Sequence, residues 1–376
     1  MGLLLHSIKI QPVRWMVRRA YSGKSDVTAN AMVFADYGQP SQVLKWHSYR
    51  LPALTADTVH VKFLASPINP ADVNMIQGVY PIKPKFQKLG DESDELLAVG
   101  GNEGVAEVVA VGDDVSSLKV GDQVVMAKSG YGTWRTHAAG PASDFQLLPK
   151  ANNVSLIQKA TISVNPCTAY RMLKDFVDLK QGDYVIQNGG NSAVGQAVIQ
   201  IAKAWGLNTI NVVRNRPQID QLTQELKDLG ATHVVTDDKL GSHDMRKQIK
   251  SWVGSQSPLL GLNCVGGKSA TEMARYIGAN GHYVTYGAMS KSPLSLPASL
   301  LIFKNIHFHG FWVSKWSDVH SKEERYAMFE DIIQLMSQGK LKEPKWNQVE
   351  WDEETMKRSV EQGISGFATG KQVVLF

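Results

Sequence analysis

The chain has 376 residues, 43% of them apolar and 20% charged, the balance of a globular protein with enough material for two cores. No apolar run approaches the roughly 20 residues that would cross a bilayer as a helix. Two cysteines, Cys167 and Cys264, exclude a disulfide framework and a cysteine-rich zinc site. The formal charge of +5 and pI of 8.9 point weakly towards nucleic acid. Four of the basic residues, Lys9, Arg14, Arg18 and Arg19, lie in an acid-free stretch over residues 1–22, and the charge without them is +1. A nucleic-acid partner loses its support there.

That first stretch, Arg-rich, acid-free and ending in Arg18-Arg19-Ala20-Tyr21-Ser22, reads as a mitochondrial presequence and predicts the matrix as the site of action. From Ala31 to about Lys150 the pattern is short strands parted by Gly, Pro and Asp. Examples are Ala31–Phe34, Thr58–Phe63, Gly104–Val111 and Gly121–Met126. Such spacing predicts a compact, partly closed β domain. The pattern changes near residue 160. Asp183–Gln187 reads as a buried strand, and Ala193–Trp205 as a helix with Val194, Ala197, Val198, Ile201, Ala202 and Trp205 on one face. Strand Asn208–Val213 and helix Gln218–Leu229, stopped by Gly230, come next, and shorter strands recur at His233–Thr236, Gly261–Val265, Gly281–Tyr286 and Ile306–Phe311. This alternation predicts an α/β domain with a doubly wound parallel sheet of the Rossmann kind. A charged helix, Glu323–Gln338, precedes a last apolar run, Gln372–Phe376, too short to stand alone. The predicted organisation is a leader over 1–22, a β-rich domain over 23–160, a nucleotide domain over 161–314, and a return to the first domain over 315–376.

The turn Asn188-Gly189-Gly190-Asn191-Ser192-Ala193-Val194-Gly195 sits between a predicted strand and helix, where backbone N–H groups and the positive helix end can meet a pyrophosphate. Gly190 and Gly195 fit the first and third places of a G-x-G-x-x-G motif, and Ser192 holds the second. At the end of the next strand, where an NAD enzyme carries an acid for the ribose 2′-hydroxyl, the sequence reads Arg214-Asn215-Arg216-Pro217, with no acid before Asp220. Two guanidinium groups suit a 2′-phosphate, so NADPH is the expected cofactor.

No metal is expected. Asn69 and Pro70 stand where a zinc dehydrogenase of this architecture shows a cysteine, and Asn102 where it shows a histidine. A catalytic zinc needs about three good protein ligands. Hydride transfer to an activated C=C bond needs no Lewis acid and becomes the natural reaction. The run Ile68-Asn69-Pro70-Ala71-Asp72-Val73-Asn74-Met75-Ile76-Gln77-Gly78-Val79-Tyr80-Pro81, the turn Asn191–Val198, Arg214–Pro217 and Phe311–Ser314 together resemble the mitochondrial 2-enoyl thioester reductases, zinc-free members of the medium-chain dehydrogenase/reductase superfamily.

The resemblance implies a GroES-like catalytic domain beside the Rossmann domain, a homodimer, and NADPH-dependent reduction of trans-2-enoyl groups carried on acyl carrier protein or CoA. It assigns the catalytic tyrosine to Tyr80. It assigns cofactor contacts to Asn165, to Asn191, Ser192, Ala193 and Val194, to Arg214, Asn215 and Arg216, to Tyr286, Gly287, Ala288 and Met289, to Phe311, Trp312 and Val313, and to Lys371. Ala288 and Asn215 depart from the commoner Gly and Asp of the family. Cys167 lacks a neighbouring base and reads as a buried small residue. His307 and His309 share one face of a strand but make too few ligands for a metal. Asp91–Glu95 reads as a solvated loop, and Trp312 as either acyl-channel lining or core. Two rivals remain at this stage: a quinone or alkenal reductase with the same cofactor site, and a non-catalytic NADPH- or nucleic-acid-binding protein.

Overall fold

The structure, a computed structural model, describes residues 27–90, 94–362 and 370–376. The leader read over 1–22 lies outside the described residues, as do residues 91–93 of the acidic loop; Asp94 and Glu95 of that loop are exposed.

Strand Thr58–Pro67 is apolar at most positions because it is hydrogen-bonded along both edges. One edge pairs with Val105–Val111; the other is shared by His137–Pro141 and Lys371–Leu375. Strands Gln123–Met126 and Phe145–Leu147 extend the sheet beyond Val105–Val111, and Trp346–Val349 extends it beyond Lys371–Leu375. Strand Thr28–Phe34 forms a second, smaller sheet with Lys45–Arg50 and Ala98–Val99. The final apolar run therefore becomes an inner strand, antiparallel to residues Ala65–Pro67.

The second sheet system is parallel throughout. Tyr184–Asn188 lies at its middle, with Asn208–Val213 and His233–Thr236 on one side. On the other side lie Leu260–Asn263, His282–Thr285 and His307–Gly310. Strand order reverses at Tyr184–Asn188, which opens a crevice beyond the carboxyl ends of the strands. Helices Ala193–Ala204, Ile219–Leu229 and His243–Val253 supply crossovers. Ser192 and Ser242 cap two of them, and Gly230, at φ +114°, ends the second as read from sequence.

Three strands are shorter at their carboxyl ends than their apolar runs suggest, His307–Gly310 among them because Phe311 falls outside the ladder. Ladder pairing stops at Asn263 and Thr285, so Val265 and Tyr286 leave the sheet. The largest core cluster joins both sheet systems. Ala65, Val105 and Val373 from the first pack with Val185, Leu262 and Val284 from the second, through Tyr170, Leu173 and Phe329 of the helices Asn165–Asp175 and Lys322–Ser337.

Candidate active site

The glycine turn is built from close approaches. Gly189 takes φ +61°, and a Cβ there would meet Cys264 Sγ at 2.5 Å. Gly190 lies against the next strand, its Cβ position 3.0 Å from Asn211 Cβ, and a Cβ on Gly195 would lie 2.5 Å from the Gly189 carbonyl oxygen. The tight left-handed turn thus belongs to Gly189, which lies outside the G-x-G-x-x-G places and is signalled in sequence only by the Gly-Gly pair. Ser192 replaces the middle glycine with a cap: its Oγ accepts from the Gly195 N–H at 3.1 Å, at the start of helix Ala193–Ala204. Gln187 fixes the turn from beneath by donating to the Gly195 carbonyl at 2.9 Å and to Asn211 Oδ1 at 2.8 Å. This cradle leaves no room for a side chain and presents a capped helix N-terminus, features that fit a dinucleotide pyrophosphate.

Arg214, Asn215 and Arg216 follow strand Asn208–Val213. Arg214 and Asn215 are exposed and Arg216 is half-buried. Neither guanidinium forms an ion pair with a carboxylate among the described residues. Two carboxylates just after strand His233–Thr236 meet the segment: Asn215 donates from its side chain to Asp238 at 2.9 Å and from its backbone to Asp237 at 3.4 Å. Asn215 thereby occupies the two acids and leaves the arginines available to an anion.

Across the crevice, Tyr286 N–H donates to the Asn263 carbonyl and Met289 N–H to the Cys264 carbonyl, each at 2.9 Å. Gly287 packs against Cys264, with its Cβ position 3.2 Å from the Cys264 oxygen, and Ala288 and Met289 are exposed. The Tyr286 hydroxyl is buried beside Cys264 and Ser192 without a hydrogen bond among the described residues, and burial raises its pKa well above the ordinary phenol value. Phe311 sits edge-on to Phe176, and Val313 is buried in the core. His282 joins His307 and His309 in a stack on the outer strands, with His282 Nδ1 2.9 Å from His309 Nε2.

Tyr80 meets Trp312, which follows the last strand of the parallel sheet, from the other domain. Asn69 and Asp72 form a reciprocal cap on helix Pro70–Ile76. Gly78, at φ +73°, then turns the chain so that Tyr80 N–H donates to the Asn74 carbonyl at 3.1 Å. The Trp312 indole N–H donates to the Tyr80 hydroxyl oxygen at 3.0 Å, with the rings 5.8 Å apart at 85°. Trp312 itself is half-buried. Because the phenol oxygen accepts from the indole, its own proton remains free to be donated. Burial raises the Tyr80 pKa, the Trp312 hydrogen bond opposes the rise and the Asp72 charge adds to it, which keeps the phenol neutral through the physiological range.

Behind Tyr80 lies a polar network absent from the sequence reading. The Asn69 backbone N–H donates to Asp72 Oδ2 at 2.7 Å, and its side-chain nitrogen to Glu103 Oε2 at 2.9 Å. Its side-chain oxygen accepts from the Lys371 ammonium. Glu103 Oε1 accepts from Val164 N–H at 2.8 Å, next to Asn165. Burial pushes the Asp72 carboxyl up to about 7 against the pull of the Asn69 N–H and of Lys371. Burial likewise raises Glu103 and lowers Lys371. Tyr80 and Trp312 thus meet directly, and Asn69 and Glu103 link Lys371 to the segment before Asn165, while Arg214 and Arg216 follow strand Asn208–Val213. Cys167 is fully buried and its thiol pKa is raised by that burial, as an inert core residue requires.

Two family models match the chain, the alcohol dehydrogenase GroES-like domain over residues 55–150 and the zinc-binding dehydrogenase over 193–332. They define a two-domain dehydrogenase of the alcohol dehydrogenase type. Its zinc chemistry does not fit here: the Asn69 amide is spent on Glu103 and Lys371, and the Asn102 oxygen accepts from Gly130 N–H at 2.6 Å. Neither side chain is a thiolate or imidazole, so the pair does not fit a catalytic zinc. The mitochondrial enoyl-[acyl-carrier-protein] reductase of Rattus norvegicus is 45% identical over 94% of this chain and 90% of its own. The mitochondrial 2-enoyl thioester reductase Etr1p/Etr2p heterodimer from Candida tropicalis superposes with a TM-score of 0.87 at 41% identity, over 93% of this chain and all of that one. The Etr1p complex with NADP and crotonyl-CoA matches equally well, with a TM-score of 0.87. The chain belongs to the mitochondrial enoyl-[acyl-carrier-protein] reductase family.

Proposed function

We propose that this chain reduces trans-2-enoyl thioesters to saturated acyl thioesters with NADPH in mitochondrial fatty acid synthesis, with Tyr80 as its proton donor. The observation that carries the role of Tyr80 is the 3.0 Å hydrogen bond from Trp312, which joins the phenol of one domain to the cofactor-side segment of the other. When bound, NADPH supplies hydride to the β-carbon of the enoyl group. Tyr80 either donates its proton in a hydrogen bond to the thioester oxygen or, directly or through a water, delivers that proton to the α-carbon. The glycine cradle and Ser192 hold the pyrophosphate, and Asn165, Ala193 and Val194 line its path with Asn191. Arg214 and Arg216 bind the 2′-phosphate with Asn215 between them. The Tyr286–Met289 and Phe311–Val313 segments flank the nicotinamide side, with Lys371 behind it.

Acyl carrier protein is the carrier in the relatives' names, and crotonyl-CoA occupies the Etr1p complex, so a thioester on either arm is accepted. A second copy of the chain completes the assembly as a homodimer. In support, strand His307–Gly310 ends the sheet, and Leu301, Ile302 and Phe303 just before it are exposed by 52%, 70% and 80%. A steady-state assay with NADPH, then NADH, on enoyl-CoA substrates and on quinones tests the activity. Quinone turnover exceeding enoyl turnover would refute the substrate assignment.

A further inference from the structure

Glu103 is 1% exposed and its carboxylate is hydrogen-bonded to neither Tyr80 nor Trp312 among the described residues, yet it ties together the segments that carry the chemistry. Helix Asn165–Asp175 begins at Val164, a residue with no side chain able to cap it. The cap comes from the other domain, through Glu103 Oε1, which accepts from Val164 N–H at 2.8 Å and from the Ser163 hydroxyl at 3.3 Å. A carboxylate at a helix N-terminus is also favoured by the helix dipole. The second oxygen, Oε2, accepts from the Asn69 side-chain nitrogen at 2.9 Å. That contact dictates how the Asn69 amide is turned: with its NH₂ on the carboxylate, its oxygen must face the Lys371 ammonium. The Asn69 backbone in turn starts the helix Pro70–Ile76 that leads into the Tyr80 turn, its N–H donating to Asp72 Oδ2 at 2.7 Å and its carbonyl accepting from Asp72 N–H at 3.0 Å. The Glu103 backbone is itself pinned, its carbonyl accepting from Ser66 Oγ at 2.6 Å and Thr133 Oγ1 at 2.9 Å.

We propose that Glu103 is a positioning residue: by accepting from Val164 and Asn69 together, it locks the Tyr80 segment and Lys371 against the nucleotide domain and so sets the gap that hydride and proton must cross. This inference rests on the reading of the chain as an NADPH-dependent enoyl thioester reductase. It concerns no bond made to substrate. It predicts a specific pattern of hydrogen-bond polarity that runs from Val164 through residues 103 and 69 to Lys371.

The polarity can be broken and restored without changing size. In Glu103→Gln the new amide oxygen can still accept from Val164 N–H, but its NH₂ then meets the NH₂ of Asn69. Turning the Asn69 amide over only moves the donor–donor clash to Lys371. Asn69→Asp alone sets two carboxylates face to face. In the double variant E103Q/N69D the pattern is whole again: the NH₂ at position 103 donates to the new carboxylate at 69, which still accepts from Lys371. Each single variant is expected to lower kcat on a trans-2-enoyl-CoA by about 10- to 100-fold, the scale of a misplacement near 1 Å, and to enlarge the isotope effect from deuterated NADPH as hydride transfer becomes limiting. The double variant should return to within about 3-fold of the wild type, a non-additivity that a generic loss of packing cannot produce. Wild-type kcat and isotope effect in E103Q, or a double variant as slow as the product of the singles, would overturn the proposal. If E103Q does not fold, comparison of N69D with the double variant decides: recovery in the double supports the relay, and a further loss refutes it. An inactive wild type would instead sink the functional reading, and the same assay registers that separately.

Discussion

Tyr80→Phe separates the chemical role of the phenol from its structural one. The substitution removes one oxygen and keeps the ring, so the edge contact with Trp312 at 5.8 Å and 85° survives. What disappears is the 3.0 Å hydrogen bond from the indole, at a site open enough for water to replace it. A lost neutral hydrogen bond costs about 0.5–1.5 kcal/mol at most, which moves a thermal midpoint by only a few degrees in a chain of this size. The loss of an essential proton donor should instead slow turnover by about 100- to 10,000-fold, which corresponds to roughly 3–5 kcal/mol of barrier. The two magnitudes differ enough to be told apart in one preparation. The variant should be folded, bind NADPH by fluorescence titration within about 2-fold of the wild type, and fail in steady-state reduction of a trans-2-enoyl-CoA followed by NADPH absorbance. Trp312→Phe leaves the phenol and its proton in place and removes only the bond that orients it, so kcat should fall by about 2- to 10-fold. Tyr80→Phe with kcat within about 3-fold of the wild type, or Trp312→Phe as slow as Tyr80→Phe, would refute the assignment of the proton to the phenol.

Arg214→Ala and Arg216→Ala should each raise the KM for NADPH by about 10- to 100-fold and leave that for NADH nearly unchanged, since a charge-assisted bond to phosphate contributes roughly 1.5–3 kcal/mol; equal losses with both cofactors would show that the arginines do not read the 2′-phosphate. Asp72 has a folded-state pKa of about 7, above the ordinary value near 3.9, so the folded state holds the extra proton between those limits and its contribution to stability is lost as pH rises from about 4 through 7. Asp72→Asn should therefore gain thermal stability relative to the wild type at about pH 8 and show little gain at about pH 4, as read by thermal unfolding; a pH-independent difference would contradict the buried-carboxyl account. Phe303→Asp places a charge in the exposed apolar run beside the open strand edge and should convert a dimer to a monomer in light scattering, without loss of NADPH binding; an unchanged mass would rule that face out as the dimer contact.

The features read well from sequence are those that depend on local order along the chain. The helix Ala193–Ala204 announces itself by its apolar face, Gly230 by its place after a periodic run, and the NADPH preference by two arginines where an acid would repel the ligand. The polar network was illegible for the opposite reason. Glu103 is 34 residues from Asn69 and 61 from Val164, and Trp312 is 232 from Tyr80, so nothing in a window of sequence pairs them. Asn102 stands out in the sequence for the histidine it replaces, whereas Glu103 beside it does not, because a buried acid is recognisable only once its partners are in place. The loss of metal ligands also has a consequence that composition cannot express. A site that keeps Asp72 and Glu103 buried but has amides where a thiolate and an imidazole would bind a cation must balance its charge by other means. Here Lys371, reaching in from the last strand to the Asn69 oxygen, supplies that positive charge. The last strand is therefore tied to Asn69 electrostatically as well as through the sheet.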